Sequence, residues 1–163
     1  MPTVFAPTYA SCSDTHHTAN HTRTQNLDRI SLSDIQRIRF TGTVNIVAFS
    51  SSDMRMAVET SATASCGQRL NGHCHLGKSN GSQKKAYAAG QATFRSGRLT
   101  VLSNASGTYK ACGVQDDCRE GKSHKNHMYE LFKSALGSSA MNGVQYHSYS
   151  STKPMSIVTF VVR

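Results

Sequence analysis

The sequence predicts an α+β domain, a mostly antiparallel sheet with one principal amphipathic helix. Three observations lead there. Residues 54–60 alternate apolar and polar side chains with the period of a strand. Two short β-rich runs, 90–95 and 98–103, flank the dipeptide Ser96-Gly97, which suits a two-residue hairpin turn. Residues 124–137 carry Met128, Leu131, Phe132, Ala135 and Leu136 at helical spacing, and Gly137 stands where such a helix would stop. A chain of 163 residues fits one domain with a single core.

The remaining elements follow in order. Residues 1–30 are rich in Ser, Thr, His and Asn without periodicity, and read as a flexible polar arm ahead of a domain spanning 31–163. Ser31 opens a short capped turn, and residues 38–49 form a β-branched strand bent at Gly42. In the next strand Met54, Met56 and Val58 share one side, and Arg55, Ala57 and Glu59 the other. Residues 61–85 are loop material, and 144–149 and 155–162 close the chain as two strands. Strands thus outnumber helices, which is the basis for α+β.

Eighteen Lys and Arg face nine Asp and Glu, a net charge of +9 with neutral histidine. Such a field concentrates polyanions, so a polyanionic or acidic macromolecule, protein or RNA, is the expected partner. No run approaches the roughly 20 apolar residues that cross a bilayer, so no membrane partner is expected. The first residues lack the basic-then-apolar order of a secretory signal, which implies export or injection by a route without a Sec signal, or a cytoplasmic location. Cys66/Cys74 and Cys112/Cys118 each bracket a short loop and could form disulfides, leaving Cys12 as the odd thiol. Reduced thiols are the expectation in the absence of a signal peptide.

Metal chemistry is not expected. Cys66-x7-Cys74 and Cys112-x5-Cys118 lack the close ligand pairs of structural zinc, and the Glu and Pro-Cys-x-x-Cys of a zinc deaminase are missing. Phosphate-loop, Rossmann and nucleophile-elbow motifs are absent too. Two metal-free mechanisms fit the residues that remain. Histidines at 73, 75, 124, 127 or 147 could exchange protons at an RNA 2′-hydroxyl while Lys and Arg stabilise the phosphorane. Alternatively, ADP-ribosyl transfer from NAD needs an Arg on the pyrophosphate and a carboxylate facing the oxocarbenium-like transition state. Glutamates occur only at 59, 120 and 130. Glu59, on a strand face with Arg55 and followed by Thr60 and Ser61, is the best placed.

The motifs HCHL at 73–76, AAG at 88–90, SGRL at 96–99 and LSNASGTYK at 102–110 resemble a module in the C-terminal toxin regions of bacterial polymorphic and insecticidal Tc/Rhs-type proteins. The same stretch is similar to part of plant IQ-motif calmodulin-binding proteins. The likeness runs over about residues 70–150, including the helix and the strand that follows it. This chain departs from the pattern at Cys74 and His75 (two serines), Gln91 (an acid), Thr108 (His) and Ala111 (Pro). The resemblance implies a toxin or effector domain, with ADP-ribosyltransferase activity as the associated chemistry and a possible immunity protein as a partner.

The leading expectation is therefore a mono-ADP-ribosyltransferase with NAD as its substrate. Glu59 is the catalytic carboxylate, and His73 and His75 are further catalytic candidates. Arg55, Arg39, Tyr109 and Lys110 are the cofactor-binding candidates. A metal-independent ribonuclease using His73, His75 or His124 with Lys78 and Lys110 is the second expectation. The third is a non-catalytic basic module that docks an acidic partner.

Overall fold

The computed structural model describes residues 29–59, 73–76, 78–79, 82–83, 86–106, 119–150 and 153–162. Residues 1–28 of the expected arm, the four cysteines at 12, 66, 112 and 118, and the site candidates Tyr109 and Lys110 lie outside the described residues, as do the side chains of Cys74, His75 and Lys78.

Helix α1 (Leu32–Arg37) begins where Ser31 and Asp34 close a capping box. The Asp34 amide donates to Ser31 Oγ at 3.1 Å and the Ser31 amide donates to the Asp34 carboxylate at 3.1 Å. Its one fully buried residue, Ile35, enters the core. Strand β1 spans Gly42–Ser50 and β2 spans Asp53–Val58. The strand expected from residue 38 thus starts four residues later. Phe40 still donates to the Ile35 carbonyl, and Arg39 at φ 51 reverses the chain after α1.

A one-turn helix α2 (His73–Leu76) and the two-residue strands β3 (Lys78–Ser79) and β4 (Ser82–Gln83) precede the central hairpin. That hairpin pairs β5 (Ala88–Arg95) with β6 (Arg98–Ser103) across Ser96-Gly97. Both turn residues have positive φ, 50 and 82, as the type I′ geometry requires. Helix α3 (Arg119–Leu136) crosses over to β7 (Gln145–Ser150), which lies parallel to β6, and β8 (Lys153–Thr159) completes the sheet. A parallel neighbour needs such a crossover, and the helix supplies it.

The result is one six-stranded sheet in the order β2-β1-β5-β6-β7-β8, antiparallel except at β6–β7. The fold is α+β with one principal helix, as the sequence implies. Pro154 falls on the edge strand β8, where a missing N–H breaks no interior ladder.

Successive residues alternate between the two faces of the sheet. One face carries Val44, Ile46, Ala48, Met56, Ala92, Phe94, Leu102 and Tyr146 against Met128, Leu131 and Phe132 of α3. Each large side chain buried there contributes about 1.5–3 kcal/mol. Gly90, opposite Ile46, is obligatory at its position because a Cβ would collide with the carbonyl oxygen of Ser103. Beyond Ser103, Asn104 acts as a further rung. Its side chain donates to the Tyr149 carbonyl at 2.9 Å and accepts from the Tyr149 amide at 2.8 Å, holding the chain against β7.

Candidate functional site

The face away from α3 has two halves. Val47, Ala57 and Ala89 form an apolar patch that Leu76 of α2 covers, together with Ala86. The other half is polar. Strand register sets Asn45 beside Gln91, Gln91 beside Ser103 and Ser103 beside His147, so four neighbouring strands contribute one lateral row. Thr43 and Thr93 form the adjacent row, their hydroxyls 3.0 Å apart. Asn45 and Ser103 are buried.

Glu59 follows β2 directly, and its amide donates to the Thr43 carbonyl at 3.0 Å, so the pairing with β1 continues one residue past the strand. The Gln91 amide nitrogen donates to Glu59 Oε1 at 3.1 Å and to Asn45 Oδ1 at 3.0 Å. The carboxylate is exposed but oriented by the polar row. Its hydrogen-bond partner is therefore Gln91, a residue that sequence spacing could not connect to it across 32 positions.

Arg55 shares that face. It donates from Nε and a terminal nitrogen to the two oxygens of Asp53 at 3.1 and 3.3 Å, and to the Leu76 carbonyl at 3.2 Å. Its guanidinium also lies 4.6 Å from the centre of the Phe49 ring. Arg55 thereby ties α2 to the sheet edge. Arg39 is exposed on the turn after α1. A cation that sequence reading missed lies in register with the polar row, opposite the Ala57 that pairs with Asn45. Arg29 forms an isolated antiparallel bridge to Ala57, and residues opposed in such a bridge point to one side, so Arg29 joins Arg55 and Glu59 on the same face. Desolvation, and next the nearby charge of Arg55, lower the pKa of Arg29, while Asp53 opposes them. Arg29 sits in a stretch with no strand signal, so only tertiary pairing could reveal it.

The described histidines each make hydrogen bonds within the fold. His73 is buried and its Nε2 donates to the Gly90 carbonyl at 2.6 Å. Burial lowers its pKa, opposed by that hydrogen bond and by the charge of Glu59. His124 is fully buried between α3 and β5. Its Nε2 lies 2.8 Å from the Ala89 carbonyl and 3.2 Å from the Ala89 amide, contacts that require opposite roles. The shorter one decides: Nε2 donates to the carbonyl, and Nδ1 accepts from the Tyr146 hydroxyl at 2.7 Å. Burial pushes the His124 pKa down to about 3, and burial also raises the Tyr146 phenol. His127 donates from Nδ1 to the Tyr87 carbonyl at 2.7 Å and stacks on the Tyr87 ring at 3.9 Å. Three histidines thus grip the carbonyls of residues 87, 89 and 90. His147 is half-buried in the polar row, with Nε2 2.9 Å from Gln145 Oε1.

The structure therefore brings Glu59, Arg55 and His73 together around the polar half-face, and adds Gln91, Asn45, Ser103, His147 and Arg29. Among the described residues no three His, Cys, Asp or Glu side chains come together as metal ligands, and no helix is long and apolar enough to cross a membrane. The arrangement is a carboxylate fixed by an amide on a sheet face that also carries two guanidinium groups. Such a set can hold an anionic ligand and stabilise positive charge developing next to it. No family model, no curated protein and no solved structure matches this chain.

Proposed function

We propose that this chain is a bacterial toxin or effector domain that transfers ADP-ribose from NAD to a macromolecular target, with Glu59 as its catalytic carboxylate. The observation that carries the reading is the Glu59–Gln91–Asn45 hydrogen-bonded chain on a polar sheet face flanked by Arg29 and Arg55. In the reaction the glycosidic C–N bond of NAD breaks and nicotinamide leaves with the bonding pair. A nucleophile on the target then bonds to the ribose C1′ and gives up its proton. Glu59 lies where it can stabilise the cationic sugar between those events, and Arg29, Arg55 or Arg39 can take the pyrophosphate.

The charge of +9 suits a polyanionic or acidic target and an acidic immunity partner in the producing cell.

Incubation with labelled NAD tests the reading through nicotinamide release and label on macromolecules. Glu59→Ala is expected to lower both by roughly a hundredfold or more, the scale of removing one charge-stabilising group, with an unchanged circular dichroism spectrum. Full activity in that variant would sink the assignment of Glu59. RNA breakdown in EDTA without nicotinamide release would replace the transferase with the ribonuclease. His73 and His124 already spend their Nε2 groups on main-chain carbonyls, which gives that second reading less to work with.

A further inference from the structure

A second concavity lies away from the polar row. Glu59 sits across from Thr43 near the start of β1, whereas this groove opens at the other end of the strand. It encloses about 420 Å³ and is lined by Phe49, Ser50, Ser51, Tyr87, Glu130, Leu131 and Ser134. In a chain of net charge +9 its lining residues are one carboxylate, three serines, a leucine and two aromatic rings, of which Phe49 already carries the Arg55 guanidinium.

We infer that the groove between the end of β1 and α3 is a binding site for a guanidinium group, such as an arginine side chain. Glu130 is exposed on α3 and makes no ion pair among the described residues. The nearest basic residue along the helix, Lys133, has its Nζ 5.8 Å from the Tyr129 ring instead. Tyr87 is half-buried and backed by the parallel ring of His127, so its orientation is set before any ligand arrives. Burial, and then the charge of Glu130, raise the Tyr87 phenol, which shows that the carboxylate and the ring are electrostatic neighbours. A planar cation gains from an aromatic surface and from two parallel hydrogen bonds to a carboxylate, and guanidinium supplies both features where an ammonium supplies one. The molecule already makes one such contact, Arg55 over Phe49. Serine hydroxyls at 50, 51 and 134 can accept the remaining N–H groups.

Titration of the full chain with acetyl-arginine amide, followed by amide NMR shifts, tests this site. The expected result is saturable shifts at Tyr87, Glu130 and Ser134. Acetyl-lysine amide should bind more weakly, and neutral acetyl-citrulline amide weaker by about tenfold or more, the order expected for loss of a charge-assisted hydrogen bond. Glu130→Gln should weaken the arginine probe by a similar factor. Ser51→Lys, which places a cation in the groove without touching α3, should do the same and serves if the first variant unfolds. Equal binding of the citrulline probe, or no shifts in the groove with the arginine probe, would overturn the inference. A Gly-Gly-Arg-Gly-Gly peptide separates the sources of the ligand. Tighter binding than the amide points to a protein arginine, and equal binding to a free guanidino compound.

Discussion

The two faces of the sheet come from the same strands and have opposite chemistry. The face under α3 is apolar from β2 to β7, and its polar side chains are consumed in partnerships such as His124 with Tyr146. The other face is closed only over Val47, Ala57 and Ala89, and continues as Asn45, Gln91, Ser103 and His147. Burying a row of amides and hydroxyls stabilises a fold far less than burying leucines would. A sheet that spends four central positions this way departs from the local rule, and such departures are expected where a ligand is met. The contrast separates the face that carries stability from the face on which the proposed chemistry rests.

The largest effect should come from the stability face. Phe132 is fully buried between α3 and the sheet, so Phe132→Ala should cost about 3–5 kcal/mol in urea unfolding. A loss under 1 kcal/mol would mean that α3 is not the element that covers this face.

Next in size is an acid dependence from His124. Its folded pKa of about 3 lies below the ordinary 6.5, so it stays neutral in the folded chain while the unfolded chain takes up a proton. The stability it confers is complete above pH 6.5 and is lost progressively as pH falls toward 3. One such group removes about 2 kcal/mol by pH 5, and His73, lowered for the same reason, acts in the same direction. His124→Gln should flatten the fall in urea midpoint between pH 7 and pH 5. An unchanged slope would show that the imidazole is not buried neutral.

How much of this was legible in the sequence depends on the range of the interaction involved. The hairpin at Ser96-Gly97 and the strand alternation from Met54 were legible because turn chemistry and side-chain parity act over a few residues. Helix α3 was found by its apolar period, yet its first turn and more, starting at Arg119, carries no apolar side chain to continue that period. Glu59 was singled out because carboxylates are scarce, a property of composition. Its partner Gln91 and the cation Arg29 were not, because strand register alone makes them neighbours. The histidines were read as proton carriers, since nothing local distinguishes a titrating imidazole from one donating to a carbonyl 17 or 35 residues away.

The smallest expected change in stability falls on the polar face, and it sharpens the contrast most. Gln91 is half-exposed and its amide holds Asn45 and Glu59 at once. Gln91→Ala removes both hydrogen bonds but leaves only Asn45 buried, so the expected cost is about 1 kcal/mol, well below that of Phe132→Ala. If the row exists to aim Glu59, the same variant should lower nicotinamide release from NAD far more than it lowers stability. Gln91→Glu makes the two roles separable. It keeps the size of the side chain but sets a second carboxylate against Glu59, and like charges in contact hold a shared proton more firmly. The acid limb of the pH–activity profile should then move to higher pH while the unfolding curve at neutral pH changes little. A variant that loses stability and activity in equal proportion, with no movement of that limb, would make the row a packing feature and remove the distinction between the two faces.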